Sequence, residues 1–264
     1  MKATYKETYL KLLSLYKSTC SGHIGGGISV LPLLYALLSG IFDTKKDIMV
    51  FSKGHCVAAL YCSLNSAGYI SDSELSTFYE DGTKLGAHTP ANLLNFIPFA
   101  TGSLGHGFSL ANGLALAKKL KKEPGHIYCF CGDGEWQEGS CWEALNFSVK
   151  RGLDNLTVII DCNNWQGFGS VFDTTGVGCE GLASRISSFG VNVLTCNGQD
   201  LLDINSNYLL ENNCITPKFI LAKTIKGKGL LEYEDTLDSH YIQLNSDLFE
   251  RVINKMEETS CEKV

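Results

Sequence analysis

No basic tail marks this chain, and none of its eleven cysteines forms a Cys-x-x-Cys pair. The first absence, with a formal net charge of −6, argues against nucleic acid as a partner, because that recognition needs clustered Lys and Arg. The second, with an odd cysteine count in 264 residues, argues against a disulfide scaffold. Cys129 and Cys131 alternate along an apolar segment as buried thiols do, so a reducing cytoplasm is the expected compartment. The N-terminal stretch is expected to be an amphipathic helix rather than a signal peptide. The first twenty residues carry spaced lysines, with Tyr9, Leu12, Leu13 and Tyr16 on one helical face. Ile24 to Phe42 has no charge, yet GGGIS fills its first third and Pro32 sits just inside a helix that Ser29 could cap. The helical part is then too short to cross a bilayer, and a buried helix is predicted. No repeat or low-complexity segment appears. What remains is ordinary globular material, 44% apolar, sufficient for one large α/β domain.

The stretch Gly132 to Gly169 organises the rest. A short β-leaning run, Ile127 to Cys131, precedes it; a helical stretch around Trp142 to Val149 and a second apolar run, Leu156 to Ile160, follow. Strand, helix and strand make a right-handed crossover, which brings Asp133 and Asn163 to the same carboxyl edge of a parallel sheet. Strands about 4.8 Å apart allow both side chains to reach one ion. Gly132 and Gly134 are expected to let the backbone turn sharply and present N–H groups to a phosphate. A carboxylate, an amide oxygen and a backbone carbonyl suit Mg²⁺ or Ca²⁺; a softer metal would call for Cys or His.

GDG followed about thirty residues later by an Asn at a strand end resembles the thiamine-diphosphate motif. GDGEWQEG with WEA after it is similar to the transketolase branch. That resemblance implies a mostly parallel sheet with helices on both faces, the thiamin-diphosphate-binding fold. It implies metal ligation by Asp133, Asn163 and the carbonyl of Trp165. Asn164 is the competing amide ligand; Asn163 aligns better because QGFG then matches the family's glycine-ended loop. Gly132, Gly134 and Glu138 join the cofactor contacts on the same basis.

Further segments carry the likeness. SGHIGGGIS resembles the family's SGHPG with Ile24 for the proline, and implies that His23 meets substrate hydroxyls. A Gly-rich turn before a buried helix also brings backbone close to something and favours negative charge. FSKGH, at the end of the strand expected over Ile48 to Ser52, resembles SKGH or SNGH, whose histidine touches the diphosphate; His55 takes that role. LGAHTP departs from the usual GHP at Ala87 and Thr89, but its spacing to Gly102 fits the family, and the resemblance implies a catalytic contact for His88. TGSLG resembles the turn that packs on the aminopyrimidine ring, giving Gly102 and Leu104. His106 stands where a glutamine is usual and receives no role. TIKGKGL precedes a cofactor-covering histidine in the family, for which His240 in DSHY is the candidate, both catalytic and cofactor-binding. Helices are predicted around Leu182 to Phe189 and in a charged, amphipathic tail from Leu248 with a frayed end. Strands are predicted at Val191 to Cys196 and Pro217 to Lys223.

Four histidines around an anionic cofactor are expected to let the site exchange protons near neutral pH. The family also needs a glutamate on a pyrimidine-binding domain, and the resemblance covers only the N-terminal portion of a full-length member. Residues 1–264 are therefore expected to be a single diphosphate-binding domain, with the pyrimidine-binding and C-terminal domains on a second polypeptide. Such a split transketolase would carry a two-carbon ketol unit between sugar phosphates, as an α2β2 assembly with no membrane or nucleic-acid partner. Two alternatives stand beside it. The α subunit of a 2-oxo-acid dehydrogenase shares the metal motif, and a donor test separates it: ketol transfer against decarboxylation of pyruvate. A non-catalytic thiamine-diphosphate-binding relative would bind the cofactor without turnover.

Overall fold

The computed structural model describes residues 2–212 and 214–261. In chain order the helices are α1 (Tyr5–Thr19), α2 (Ile24–Leu38), α3 (Val57–Ala67), α4 (Asp72–Leu75), α5 (His106–Lys121), α6 (Gly139–Lys150), α7 (Val171–Thr175), α8 (Cys179–Ser187), α9 (Leu201–Leu209) and α10 (Ser246–Cys261). The strands are β1 (Ile48–Phe51), β2 (Ile127–Gly132), β3 (Leu156–Cys162), the short β4 (Trp165–Gln166) and β5 (Gly169–Ser170), then β6 (Asn192–Asn197) and β7 (Lys218–Lys223). Five of them form one parallel sheet in the order β1-β2-β3-β7-β6, and β4 with β5 makes a small antiparallel hairpin. The frayed end expected for the tail falls on residues 262–264, outside the described residues.

Alternation along the strands divides the core between the two faces of the sheet. Phe51, Phe130, Ile159 and Ile220 pack with α1, α2, α3, α9 and α10. Val50, Cys129, Cys131, Val158, Ile160, Phe219 and Leu221 pack with α5, α6 and α8. Doubly covered parallel strands leave loops at the carboxyl edge, where polar residues can collect. The central crossover is as the hydrophobic pattern predicts: β2 and β3 pair in parallel with α6 between them, in a register that sets Gly132 opposite Asp161.

One boundary departs from expectation. Helix α2 begins at Ile24 and runs straight through Gly25, Gly26 and Gly27, so Ser29 lies inside it, and its cap is His23, in the left-handed region at φ +67°. Propensity argues against helical glycines at about 1 kcal/mol each, but packing overrides it. A Cβ on Gly25 would collide with Ser239, one on Gly26 would lie 2.7 Å from Cys56 Sγ, and one on Gly27 would meet the Tyr16 ring. The glycines serve close helix packing rather than a turn. Pro32 sits in the interior of this buried helix. Among the described residues no helix is long and apolar enough to cross a membrane. The helix expected over Leu182 to Phe189 is α8, which begins earlier, at Cys179.

Candidate active site

At the carboxyl edge the loops enclose a cavity of about 440 Å³. Its floor is the end of the central crossover: Gly132, Asp133 and Gly134 after β2, Asn163 and Trp165 after β3. His23, His55, His88 and His240 face it from four separate segments, and Gly102, Leu104 and Glu138 complete the set chosen from sequence. Every predicted site residue thus borders one space. Gly102 backs directly on His88, since a Cβ there would lie 3.0 Å from the ring. Asn163 faces this cavity, whereas Asn164, at φ +64°, lines a neighbouring one, and its Oδ1 accepts the Phe172 N–H at 3.1 Å.

Asp133 is buried, and its carboxylate accepts the N–H groups of Asn164 (2.6 Å) and Gly134 (2.8 Å). Burial, and next the charge of Asp161, nevertheless push its pKa up to about 7. β2 ends at Gly132 and a 3-10 turn begins at Gly134, so the chain turns sharply as expected, without positive φ at either glycine. Their N–H groups go to local carboxylates, Gly132 to Glu135 at 3.3 Å and Gly134 to Asp133. A Cβ on Gly134 would sit tightly against Gln166, at 3.1 Å from its side chain.

The histidines form a chain. Lys226 Nζ lies 3.0 Å from His240 Nδ1, and His240 Nε2 lies 3.0 Å from His23 Nδ1. An ammonium can only donate, so neutral His240 carries its proton on Nε2 and donates it to His23, which leaves the His23 proton on its own Nε2. The ring of His55 stands 5.2 Å from that of His23. Burial, then Lys226, lowers the His240 pKa to about 3. Burial, then Lys53, takes His55 well below its ordinary value; burial, then His88, lowers His23. Lys226 itself is brought down to about 8 by burial and by Lys53. In this arrangement the three rings are held neutral, because burial first, and neighbouring cations and rings next, disfavour a further proton.

Besides Lys226, three further buried charges at the site escaped the sequence reading. Glu135 accepts from Ser52 Oγ, from the Gly105 N–H at 2.8 Å and from Gly132, and so ties the TGSLG turn to the GDG turn. Lys53 and Asp161 form an ion pair under the cavity floor, both almost inaccessible. Lys53 lies in the SKGH segment already singled out, but Asp161 sits within an apolar strand and carries no local signal. The β4–β5 hairpin is fastened over the site by Trp165 Nε1 donating to Asp235 at 2.8 Å and by Tyr241 Oη donating to the Gly167 carbonyl.

Comparison with known proteins agrees with this geometry. Residues 9–257 match the family model described as transketolase, thiamine diphosphate binding domain. The chain is 34% identical over 257 residues to one subunit of the apulose-4-phosphate transketolase of Phocaeicola vulgatus, covering 94% of this chain and 90% of that one. It is 34% identical over 245 residues to the 6-deoxy-6-sulfo-D-fructose transketolase subunit SqwG of a Clostridium species, covering 89% and 88%. Among solved structures, the transketolase of Campylobacter jejuni superposes with a TM-score of 0.85 at 29% identity, over 95% of this chain and 42% of that one. The chain spans about two fifths of the solved transketolases it matches.

Proposed function

Because the chain belongs to the transketolase family, through its thiamine diphosphate binding domain, we propose that it is the diphosphate-binding subunit of a two-chain transketolase. With a second polypeptide carrying the pyrimidine-binding domain and its glutamate, it would move a two-carbon ketol unit from a ketose phosphate to an aldose. The observation that carries this reading is the carboxyl-edge cavity, where one buried carboxylate and an amide oxygen meet a histidine cluster. Relatives named as transketolase subunits support the two-chain form.

The donor set fits a hard divalent cation. Asp133 is a buried carboxylate with a raised pKa, a cost that a cation beside it would relieve. Asp133, Asn163 and the Trp165 carbonyl offer only oxygen, which suits Mg²⁺ or Ca²⁺. Thiamine diphosphate, when bound, supplies the carbon nucleophile and the electron sink. His55, Gly102, Leu104, Gly132, Gly134 and Glu138 would hold it, with His240 covering it. His23, its Nδ1 engaged by His240, would donate its Nε2 proton to a ketose hydroxyl, His240 would act through that hydrogen bond, and His88 would make a further contact to substrate. The expected assembly is α2β2 in the cytoplasm.

The test pairs the purified chain with the product of a neighbouring reading frame bearing a pyrimidine-domain glutamate. Ketol transfer from a ketose phosphate is expected from the mixture and not from this chain alone. Turnover by the isolated chain would overturn the two-chain assignment, and thiamine-diphosphate-dependent decarboxylation of pyruvate in place of ketol transfer would overturn the reaction.

A further inference from the structure

Two residues before Asn163, Asp161 is completely buried beneath the cavity floor. Its carboxylate collects donors from four parts of the chain. Oδ2 takes Lys53 Nζ from the end of β1, Ser29 Oγ of α2 at 2.6 Å and Asn163 Nδ2 at 3.3 Å; Oδ1 takes Thr224 Oγ1 from the end of β7. Ser29 Oγ also accepts from Asn163 Nδ2, at 3.0 Å. The Asn163 amide nitrogen therefore faces this acceptor pair, which shares one of its hydrogens, on the side away from the cavity. Its oxygen must lie on the other side, where it accepts the Trp165 N–H at 3.0 Å.

An amide is nearly symmetric in shape, and only its hydrogen-bond partners decide which end points where. Turning Asn163 over would press its oxygen against the Asp161 carboxylate and the Ser29 hydroxyl, leaving an NH₂ for the cavity. A nitrogen with two hydrogens cannot ligate a cation. Lys53 meanwhile pairs with Asp161 beneath the floor.

We propose that Asp161, with Ser29, is the positioning element for Asn163: a buried acceptor pair that fixes the amide so its oxygen, not its nitrogen, is presented to the metal. The inference rests on the reading of the site given above and extends it to residues that never touch cofactor or substrate. It also distinguishes Asp161 from a plain buried ion pair, which contributes little net stability over apolar residues of similar size.

Two double variants separate the roles. K53M/D161L removes both charges and the acceptor, whereas K53M/D161N removes both charges and keeps a carbonyl acceptor; any effect of losing Lys53 is common to both. Mg²⁺ is titrated calorimetrically into the full-length chain with thiamine diphosphate present, and thermal midpoints are recorded. With both variants folded, Mg²⁺ affinity should fall about 10–100-fold in K53M/D161L and recover largely in K53M/D161N. Wild-type affinity in K53M/D161L, or equal loss in both, would overturn the proposal. Should K53M/D161L not fold, Ser29→Ala carries the test, since it removes one acceptor and leaves the ion pair intact: a several-fold loss is expected, and an unchanged affinity would overturn it. A wild-type chain that binds no Mg²⁺ with thiamine diphosphate would instead overturn the reading of the site itself, and this inference with it.

Discussion

Both ends of the five-stranded sheet bury polar and charged side chains, and they use them in opposite ways. At the amino end, Lys218 gives Nζ to the carbonyls of Asn207 (3.3 Å), Tyr208 (3.0 Å) and Leu210 (2.9 Å), closing the carboxyl end of α9. Asp47 accepts the N–H groups of His126 and Asp43, and the His126 ring meets Thr157 Oγ1 at 2.8 Å. Each of these groups is answered at once by a neighbour. At the carboxyl end, Lys53, Asp161, Ser29, Thr224 and Asn163 answer one another, and around them Asp133 and four histidines face open space. Burial of charge alone does not mark a site; convergence of buried polar groups on a shared cavity does.

Substitutions can break or sharpen that contrast. Asp133→Asn should have the largest effect. With the partner polypeptide, kcat/KM falls by about a thousand-fold or more and Mg²⁺-dependent cofactor binding disappears, on the scale of a lost first ligand worth several kcal/mol. The thermal midpoint should hold or rise, because the neutral amide relieves a costly buried charge. Retained binding would remove the functional half of the contrast. His240→Ala should lower turnover roughly 100-fold while shifting Mg²⁺ affinity by less than about tenfold, as steady-state kinetics beside calorimetry will show.

Lys218→Met tests the other end. It should cost about 1–3 kcal/mol of stability in denaturant unfolding, from the lost bonds to α9 carbonyls, and leave Mg²⁺ affinity unchanged. A change in affinity would mean that the two ends are coupled. The smallest effect concerns acid. Burial, and next Lys218, lower the His126 pKa to about 4, so the folded protein refuses a proton that the unfolded chain accepts near 6.5. This contribution to stability is present above about pH 6.5 and is lost as the pH falls towards 4, amounting to a few kcal/mol at most. His126→Gln should flatten the stability profile across that window; an unchanged slope would exclude His126 as its source.

The central crossover was legible because its signals are local: two apolar runs, a helix between them, and Gly-Asp-Gly and Asn-Asn at the strand ends. His23, His55 and His88 each stood in a short glycine- or proline-flanked segment and His240 in DSHY, all recognisable only by resemblance, and nothing in their spacing required them to meet. Lys53, Glu135 and Asp161 were missed because a charge within or beside an apolar strand reads as its end or as a solvated tip. Their meaning comes from partners such as Ser52, the Gly105 N–H and Ser29, contributed by other elements. The start of α2 was misplaced for a related reason: Gly25 to Gly27 look like a break until Ser239, Cys56 and Tyr16 are seen against them.

By itself the sequence determined that parallel strands alternate with covering helices, and that Asp133 and Asn163 must emerge at one edge. Those facts follow from hydrophobic period and crossover handedness, which act over a few tens of residues. Only the tertiary structure decided which end of the Asn163 amide faces the cavity and in what order Lys226, His240 and His23 hand on a hydrogen bond. Those depend on single contacts between distant segments, Ser29 with Asn163 and His23 with His240, and no local pattern can specify a contact whose partner lies elsewhere in the chain.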